Sequence, residues 1–483
     1  MGTLACAGAL AVLLLAALAL FGLILGQGFL TFWPRPLEQW KLADGRTFLV
    51  EPNGAAANGD LRARIGNREL NGMNDFIQVA PGELVSETVP EDAFWVERAE
   101  YGPFHGRLTR VELPDGVHGG EALLPRFLEE APDLRDRIAA AGEELGRAAG
   151  RETQDLPEIE TLRKKISSLQ ERLGGYRLVA ATADGREVGL PGATVLRVRF
   201  PNRLSFLERT ETWLGGAWRF LTEAPREANT EGGVWPALVG TCLMVILMSI
   251  LVVPFGVLAA VYLNEYAREN WFVRFVRISV NNLAGVPSIV YGVFGLGFFV
   301  YGIGGGLDHL FLDPGDAPRF GRGGLLWASL TMALLTVPVV IAATEEGLAA
   351  VPRERREGAL ALGATRWEMV WKVILPGARP GILTGVILAV SRAAGEVAPL
   401  MLTGVVGNAI NPVAELHPPF LHLDRPFMHL GFHIYSVGFQ APNVESAVPL
   451  VYATCALLLL LVLFLNLLAI RMRIRIRRSL QGR

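Results

Sequence analysis

Six stretches of this chain, at 4–25, 234–263, 280–301, 325–343, 381–406 and 447–470, are apolar over a length that suits a membrane span. A helix of about 20 such residues crosses roughly 30 Å of hydrocarbon, so the runs are read as six transmembrane helices. The composition agrees: 51% of the 483 residues are hydrophobic and 19% charged, with a mean hydropathy of +0.34, too apolar for a soluble chain of ordinary make-up. The expected class is an all-α polytopic membrane protein. The first run has no basic residues before it, is long for a signal peptide and lacks a small-residue cleavage site, so 1–29 is expected to be a retained anchor.

Orientation follows from the basic residues. Six Arg lie in the tail 471–483, and Arg353, Arg355, Arg356, Arg366, Lys372 and Arg379 lie between the fourth and fifth runs. Both stretches are expected in the cytoplasm. The segment 403–446 has one basic residue, Arg425, and the loop after the third run has Arg319 and Arg322. Counting spans from these anchors puts 30–232 outside and both termini inside. Arg35, Lys41 and Arg46, which follow the first run, dissent, but large domains translocate largely regardless of charge.

The insert 30–232 reads as an α+β domain. Strand-like runs, RTFLVEP and AFWVERAEY, are bounded by Asp44-Gly45 and Gly102-Pro103 turns. Leu134, Ile138, Ala141, Leu145 and Ala148, then Ile159, Leu162, Ile166, Leu169 and Leu173, repeat every three or four residues. They predict an antiparallel helical hairpin near 121–174 that turns at 150–157. Strands return in YRLVAATADGREVGL, around Asp184-Gly185, and in TVLRVRF. The insert suits a stabilising platform or a docking site for a soluble partner. Cys6, Cys242 and Cys455 all fall in apolar runs, so no disulfide staples it.

The chain has no G-x-x-x-x-G-K-[ST] phosphate loop with which to bind ATP. His417, His422, His429 and His433 crowd HPPFLHLDRPFMHLGFH, and the last two have the i, i+4 spacing with which a helix can share a metal. No Cys or carboxylate pair completes a ligand set, so packing around Phe427, Met428, Leu430 and Phe432 is the expected role and no metal is assigned.

Between the fourth and fifth runs lies REGALALGATRWEMVWKVILP. Pro352 suits the first turn of a helix, Arg353 to Leu362 are mostly helix formers, and Gly363 suits the left-handed position that ends one. Thr365 and Glu368 then form a T-x-x-E capping pattern, and Trp367, Val370, Trp371 and Ile374 make a bulky face until Pro376 interrupts the next turn. Two short helices at an angle, held at a membrane surface by flanking spans, suit a docking element for a cytoplasmic partner. A partnerless surface connector and a DNA-reading helix-turn-helix are the competing readings, the latter disfavoured by the bilayer that clamps both ends.

Glu357, Gly358 and Ala359, then Gly363, then Val373, Leu375 and Pro376 resemble the E-A-A, three residues, G, nine residues, I-x-L-P loop of ABC importer permeases. Gly358 replaces the usual Ala and Val373 the usual Ile. GGVWPALVGT, NNLAGVPSIVYGVFGL, ATEEGLAAVP and SRAAGEVAPLMLTG resemble the phosphate-specific members of that family, the PstA type, closely over 230–475 and loosely in the insert. The resemblance implies a permease domain at 233–475 whose loop 344–380 couples it to an ATPase through Glu357, Gly358, Ala359, Gly363, Thr365, Glu368, Leu375 and Pro376. It implies a multi-pass protein of a bacterial inner membrane, non-catalytic and without a cofactor of its own, since ATP and Mg are held by the ATPase. The implied partners are a homologous permease subunit (PstC type), an ATPase dimer (PstB type), a periplasmic phosphate-binding protein (PstS type) and membrane lipid, with no nucleic acid. A permease for molybdate or sulfate, and a membrane sensor or scaffold, are the alternatives.

Arg392 and Glu396 stand four apart in the apolar run ILTGVILAVSRAAGEVAPLML. An ionised side chain at a bilayer centre costs roughly 2.5–3.5 kcal/mol, so the pair demands a reason. It suits either an ion pair that fixes helix register or a guanidinium fork held by Glu396 until a phosphate arrives, the role the resemblance implies along the translocation route.

Overall fold

The computed structural model describes residues 2–56, 58–72, 75–149, 156–313, 315–409, 412–415, 418 and 420–481. The chain folds as two compact units, one comprising 32–217 and the other 1–31 together with 218–483.

The unit 32–217 is built on two antiparallel sheets. β1 (Glu38–Leu42), β2 (Thr47–Ala55), β3 (Leu61–Arg64), β4 (Phe76–Val79) and β5 (Leu84–Thr88) pair in the order β4-β3-β2-β1-β5. β6 (Ala93–Arg98), β7 (Phe104–Glu112), β8 (His118–Gly119), β9 (Arg177–Ala181), β10 (Glu187–Pro191) and β11 (Val195–Arg199) form the second, in the order β10-β9-β7-β6-β11 with β8 on β7. The Asp-Gly turns are where the sequence expects them. Gly45 and Gly185 take φ of +86° and +85° between β1 and β2 and between β9 and β10, a conformation that only glycine adopts at little cost. The strands thus lie in the unit where the sequence expects an α+β fold, and the described residues of the membrane unit are helical apart from the two-residue strands Pro225–Arg226 and Glu231–Gly232 and isolated bridges.

α2 (Leu124–Ala149) and α3 (Leu156–Gly174) pack against each other, with Leu134, Ala141, Ala148, Ile159 and Leu173 buried. The expected turn falls largely at 150–155, outside the described residues. The base of α2 joins the second sheet, where Phe127 meets Tyr176 edge-on at 5.9 Å over a core of Phe94, Phe104 and Leu178. α4 (Phe206–Thr222) then carries the chain from the first unit into the second.

In the membrane unit, six helices are long and apolar enough to cross a membrane. α1 (Gly2–Leu30) is the first, and α5 (Trp235–Val261) with a π-helical end over Tyr262–Tyr266 is the second. After α6 (Trp271–Leu283), the third is α7 (Ser288–Phe294), a π-helical stretch Gly295–Gly304 and α8 (Gly305–Phe311). α9 (Leu325–Ala349) is the fourth and the most enclosed, packed between α5 and α12 (Leu375–Gly395). The sixth, α15 (Val444–Gln481), packs on α12 and α1.

Two spans differ from the sequence expectation. The third starts at Ser288 rather than 280, because the chain turns at 284–287 ahead of Pro287, and the residue before a proline is held out of the α region. The fifth is one helix over Arg366–Gly395 rather than 381–406. It ends before Val397-Ala398-Pro399, and the chain restarts in the single turn α13 (Leu400–Thr403).

α9 and α12 cross backbone to backbone. A Cβ added at Gly381 would stand 2.4 Å from Gly347 Cα, and one at Gly385 would stand 2.8 Å from Ala343 Cβ. Small residues four apart on both helices permit that approach, which dispersion and close packing favour where water gives no hydrophobic drive. The buried hydroxyls of Thr241, Ser329, Thr331 and Thr336 in these spans each donate to the carbonyl four residues back, which satisfies them in apolar surroundings, whereas the buried Thr344 hydroxyl of α9 has no such partner among the described residues.

Candidate functional site

The segment between the fourth and fifth spans begins as α10 (Arg353–Ala361) after Pro352. α10 ends in a left-handed turn. Gly363 takes φ +83°, Leu362 N donates to Gly358 O and Ala364 N donates to Ala359 O at 3.1 Å, the pattern that lets glycine close a helix by satisfying its last carbonyls. Thr365 starts the next helix. Its Oγ1 accepts from Glu368 N at 3.2 Å while Glu368 Oε2 accepts from Thr365 N at 3.1 Å, a complete capping box over α11 (Arg366–Met369).

Contrary to the sequence expectation, Pro376 interrupts no helix. A π-helical stretch, Val370–Ile374, joins α11 to α12, with Pro376 in the first turn of α12. A wider turn, and a position where the missing N–H costs little, accommodate the ring. The expected second short helix is therefore the leading end of the fifth span.

This segment has two faces. Met369, Val370 and Ile374 are buried with Leu263, Val273, Ile341, Leu348 and Val351, and Ala359 and Leu375 pack at the edge of the cluster. Outward stand Glu357, Gly358 and Gly363, with Leu362 90% exposed and Trp367 and Trp371 60% and 48% exposed. The two indoles are 5.2 Å apart between centroids. An apolar, aromatic face held on a fixed base is the character of a protein-docking surface.

The anchoring residue that sequence reasoning does not single out is Arg356. Its Nη2 donates at 2.6 Å to Leu348 O at the end of α9 and stands 3.2 Å from Oε1 of Glu265, whose side chain is 8% exposed. Arg277 of α6 donates to Leu263 O at 2.8 Å, close by on the same π-helical turn. Two arginines thus hold the π-helical end of α5, one of them from the segment that carries the docking face. A charged residue at the end of an apolar run, as in NEYAREN, is the available signal.

Arg392 and Glu396 do pair, Nε to Oε1 at 3.3 Å, with side chains 32% and 23% exposed. The pair is not at mid-span. Glu396 has left the helix (φ −81°, ψ 132°) as the residue that follows α12, so the fork lies at the helix end, beside a Ser391 hydroxyl that donates to Asn466 Oδ1 of α15.

The histidine stretch does not present two imidazoles on one helix turn. His429 is extended (φ −131°, ψ 137°) and caps α14 (Leu430–Tyr435), its Nδ1 accepting from Gly431 N at 3.1 Å, and only His433 is helical. Both are buried, and burial alone pushes each imidazole down to about 4. His422 lies near Glu415, Nε2 to Oε2 at 3.5 Å, and His417 lies outside the described residues. Among the described residues no three His, Cys, Asp or Glu side chains group as metal ligands.

Comparison with known proteins agrees with this architecture. Residues 252–478 match the family described as binding-protein-dependent transport system inner membrane component. The chain is 36% identical over 193 residues to the phosphate transport system permease protein PstA of Yersinia pestis, covering 40% of this chain and 59% of that one. It is 37% identical over 180 residues to PstA of Mycobacterium leprae, covering 37% and 54%, and 34% identical over 197 residues to PstC of Pasteurella multocida, covering 38% and 59%. The chain thus spans a little over half the length of these relatives. Over residues 252–478 the chain is similar to binding-protein-dependent transport inner membrane components, and its similarity to the PstA and PstC permeases is confined to about two fifths of its length.

Proposed function

We propose that this chain is the permease subunit of an ATP-driven importer that carries inorganic phosphate across a bacterial inner membrane. The observation that carries the reading is the segment Pro352–Pro376. It matches the coupling loop of such permeases in spacing, it is anchored through Arg356, and it holds Leu362, Trp367 and Trp371 out as an apolar face that needs a partner. The names of the relatives, phosphate transport permeases, supply the substrate class.

In this reading the partner on that face is an ATPase dimer (PstB type), which holds ATP and Mg, and the chain itself is not catalytic. A homologous permease (PstC type) completes the pathway, and a phosphate-binding protein (PstS type) delivers the anion. The basic segment, both termini and the Arg-rich tail lie in the cytoplasm, and the α+β unit 32–217 lies on the other face of the membrane. Arg392, steered by Glu396, offers phosphate oxygens a planar donor fork at the end of α12.

Co-purification from membranes followed by reconstitution tests this. ATP-dependent uptake of labelled phosphate that persists in excess molybdate or sulfate is expected. Uptake that molybdate or sulfate abolishes would reassign the substrate, and recovery of a signalling protein in place of an ATPase would overturn the reading. Protease added to sealed spheroplasts should cut within 121–174; protection there would reverse the topology.

A further inference from the structure

α6 lies beside the last turns of two spans rather than beyond their ends. Its Val273 is buried with Ala260, Val261 and Leu263 of the second span and with Ile341 and Leu348 of the fourth, and Val276 and Val280 extend that contact along one helix face. Leu263 is in the π-helical turn that closes the second span, and Leu348 is one residue from the end of α9. Arg277 fixes the register, its Nη2 donating to Leu263 O at 2.8 Å. At the start of α6, Asn270 Oδ1 accepts from Val273 N at 2.8 Å, so the cap closes on the residue that anchors the helix.

The side opposite the valines is uncovered. Trp271, Phe275 and Ile278, at spacings of four and three, are 79%, 60% and 52% exposed, and Phe272 on the adjoining flank is 56% exposed. The Trp271 and Phe272 rings meet edge to face at 6.0 Å. The other flank is polar, with Arg274, Arg277 and Asn281. Ser279 sits on the apolar flank, and Asn282 ends the apolar stripe where the chain leaves the helix for the turn at 284–287. We propose that α6 is an interfacial helix that immerses Trp271, Phe272, Phe275 and Ile278 among the acyl chains beneath the headgroups and turns Arg274 toward anionic phosphate in the headgroup layer.

Lipid is the occupant for reasons of depth, sidedness and charge. A helix of 13 residues, about 20 Å long, that lies against the last turns of two spans is at the boundary of hydrocarbon and headgroups, where aromatic rings are favoured. The surface left after the valine contact divides into an aromatic and a basic side, the division of a helix that lies in the plane of that boundary. α6 has two Arg and no Asp or Glu, and Arg268 and Glu269 before it cancel, so its field is complementary to an anionic leaflet. That this leaflet is the cytoplasmic one rests on the orientation proposed above; the contact with lipid does not depend on it.

The full chain, with any subunit that co-purifies, is embedded in nanodiscs of phosphatidylcholine and phosphatidylglycerol. Nitroxides are placed at single cysteines, Phe275→Cys, Ile278→Cys and Asn281→Cys, with Cys6, Cys242 and Cys455 changed to Ala. At 275 and 278, collision with oxygen should exceed collision with a water-soluble nickel chelate several-fold, with the order reversed at 281. Nickel-dominated relaxation at all three puts α6 in water, and shielding of 275 and 278 from both reagents puts a protein surface over the stripe; either overturns the proposal. With the native cysteines retained, tryptophan quenching by brominated phosphatidylglycerol should exceed quenching by an equal fraction of brominated phosphatidylcholine, and Trp271→Phe and Arg274→Gln should each lose most of that excess. Equal quenching by the two lipids, or an excess that either variant leaves intact, overturns the proposal even where the cysteine-free chain does not fold. None of these readouts depends on transport, so their failure is distinct from failure of the transport reading.

Discussion

Nη2 of Arg356 binds the Leu348 carbonyl and Glu265 Oε1 at once, at 2.6 and 3.2 Å, so one side chain ties α10 to the ends of both α9 and α5. Arg356→Gln leaves a nearly buried carboxylate without its cation, at a cost of about 1–3 kcal/mol. Thermal unfolding in detergent should show that loss, and in the proposed transporter phosphate uptake per ATP hydrolysed should fall further than ATP hydrolysis itself. Arg356→Lys should recover little, since a point charge does not reproduce the two-sided fork. Equal stability and unchanged coupling in Arg356→Gln would mean that the contact ties nothing.

Gly363 holds φ +83° with nothing within 4 Å of where its Cβ would be, so a substitution there is strained by backbone alone. Gly363→Val should lose roughly 1–2 kcal/mol locally and most uptake while the chain still reaches the membrane. Gly363→Asn, which tolerates that conformation better, should keep measurably more uptake than the valine variant. Equal uptake by both variants would mean that the turn does not matter.

Gly381→Val should fail at an earlier stage. Its side chain would have to occupy the 2.4 Å between a Cβ and Gly347 Cα, where backbone cannot yield as a flexible side chain would. Overpacking of this kind costs about 1–3 kcal/mol or more. Size-exclusion chromatography should show less intact chain, whereas Gly358→Val, in open space on α10, should elute normally.

His429 and His433 give the stability a defined pH slope. Their imidazoles stay neutral down to about 4, against 6.5 when exposed, because burial disfavours the charged form. As pH falls below 6.5 the unfolded chain binds protons that the folded chain refuses, so stability is full above that value and declines toward 4, by a few kcal/mol in all. The unfolding midpoint should therefore drop between about pH 7 and pH 4.5, and His429→Asn with His433→Asn should flatten the drop. A slope of the same size in the double variant would place its origin elsewhere.

Arg392→Gln should reduce uptake sharply and Arg392→Lys by less, with assembly of the complex and affinity of the binding protein near normal. Uptake at the unmodified rate in both variants would leave the pair a purely structural contact, and failure to assemble would assign it to helix register.

What the sequence discloses and what it withholds divide by range. The Thr365–Glu368 capping box, the turns at Gly45 and Gly185 and the seam Leu134–Ala141–Ala148 are settled within a few residues, so composition and spacing carry them. Arg356 and Glu265 are brought together only by the packing of α9 against α5, which no local pattern encodes. Hydropathy misplaces the fifth span because it runs on through 397–406 although Pro399 ends regular helix, and because a π-helical turn that absorbs Pro376 has no signature in residue type. The sheets of 32–217 are visible as strands, but their order is not, since long-range pairing depends on side-chain contacts across many residues.

The single helix from Arg366 to Gly395 has a mechanical consequence. Trp367 is near one end and Arg392 near the other, roughly 35–40 Å apart at helical rise, and between them the regular helix is interrupted at the π-helical stretch Val370–Ile374 and at Pro380, which lacks the backbone N–H of its turn. In the proposed transporter, a thrust against the indole therefore reaches the guanidinium as a tilt or slide of one continuous helix that can bend at those two points. The two ends of that transporter's rod are then coupled, and any delay between a partner's action at Trp367 and the response of Arg392 arises at the π-helical stretch or at Pro380.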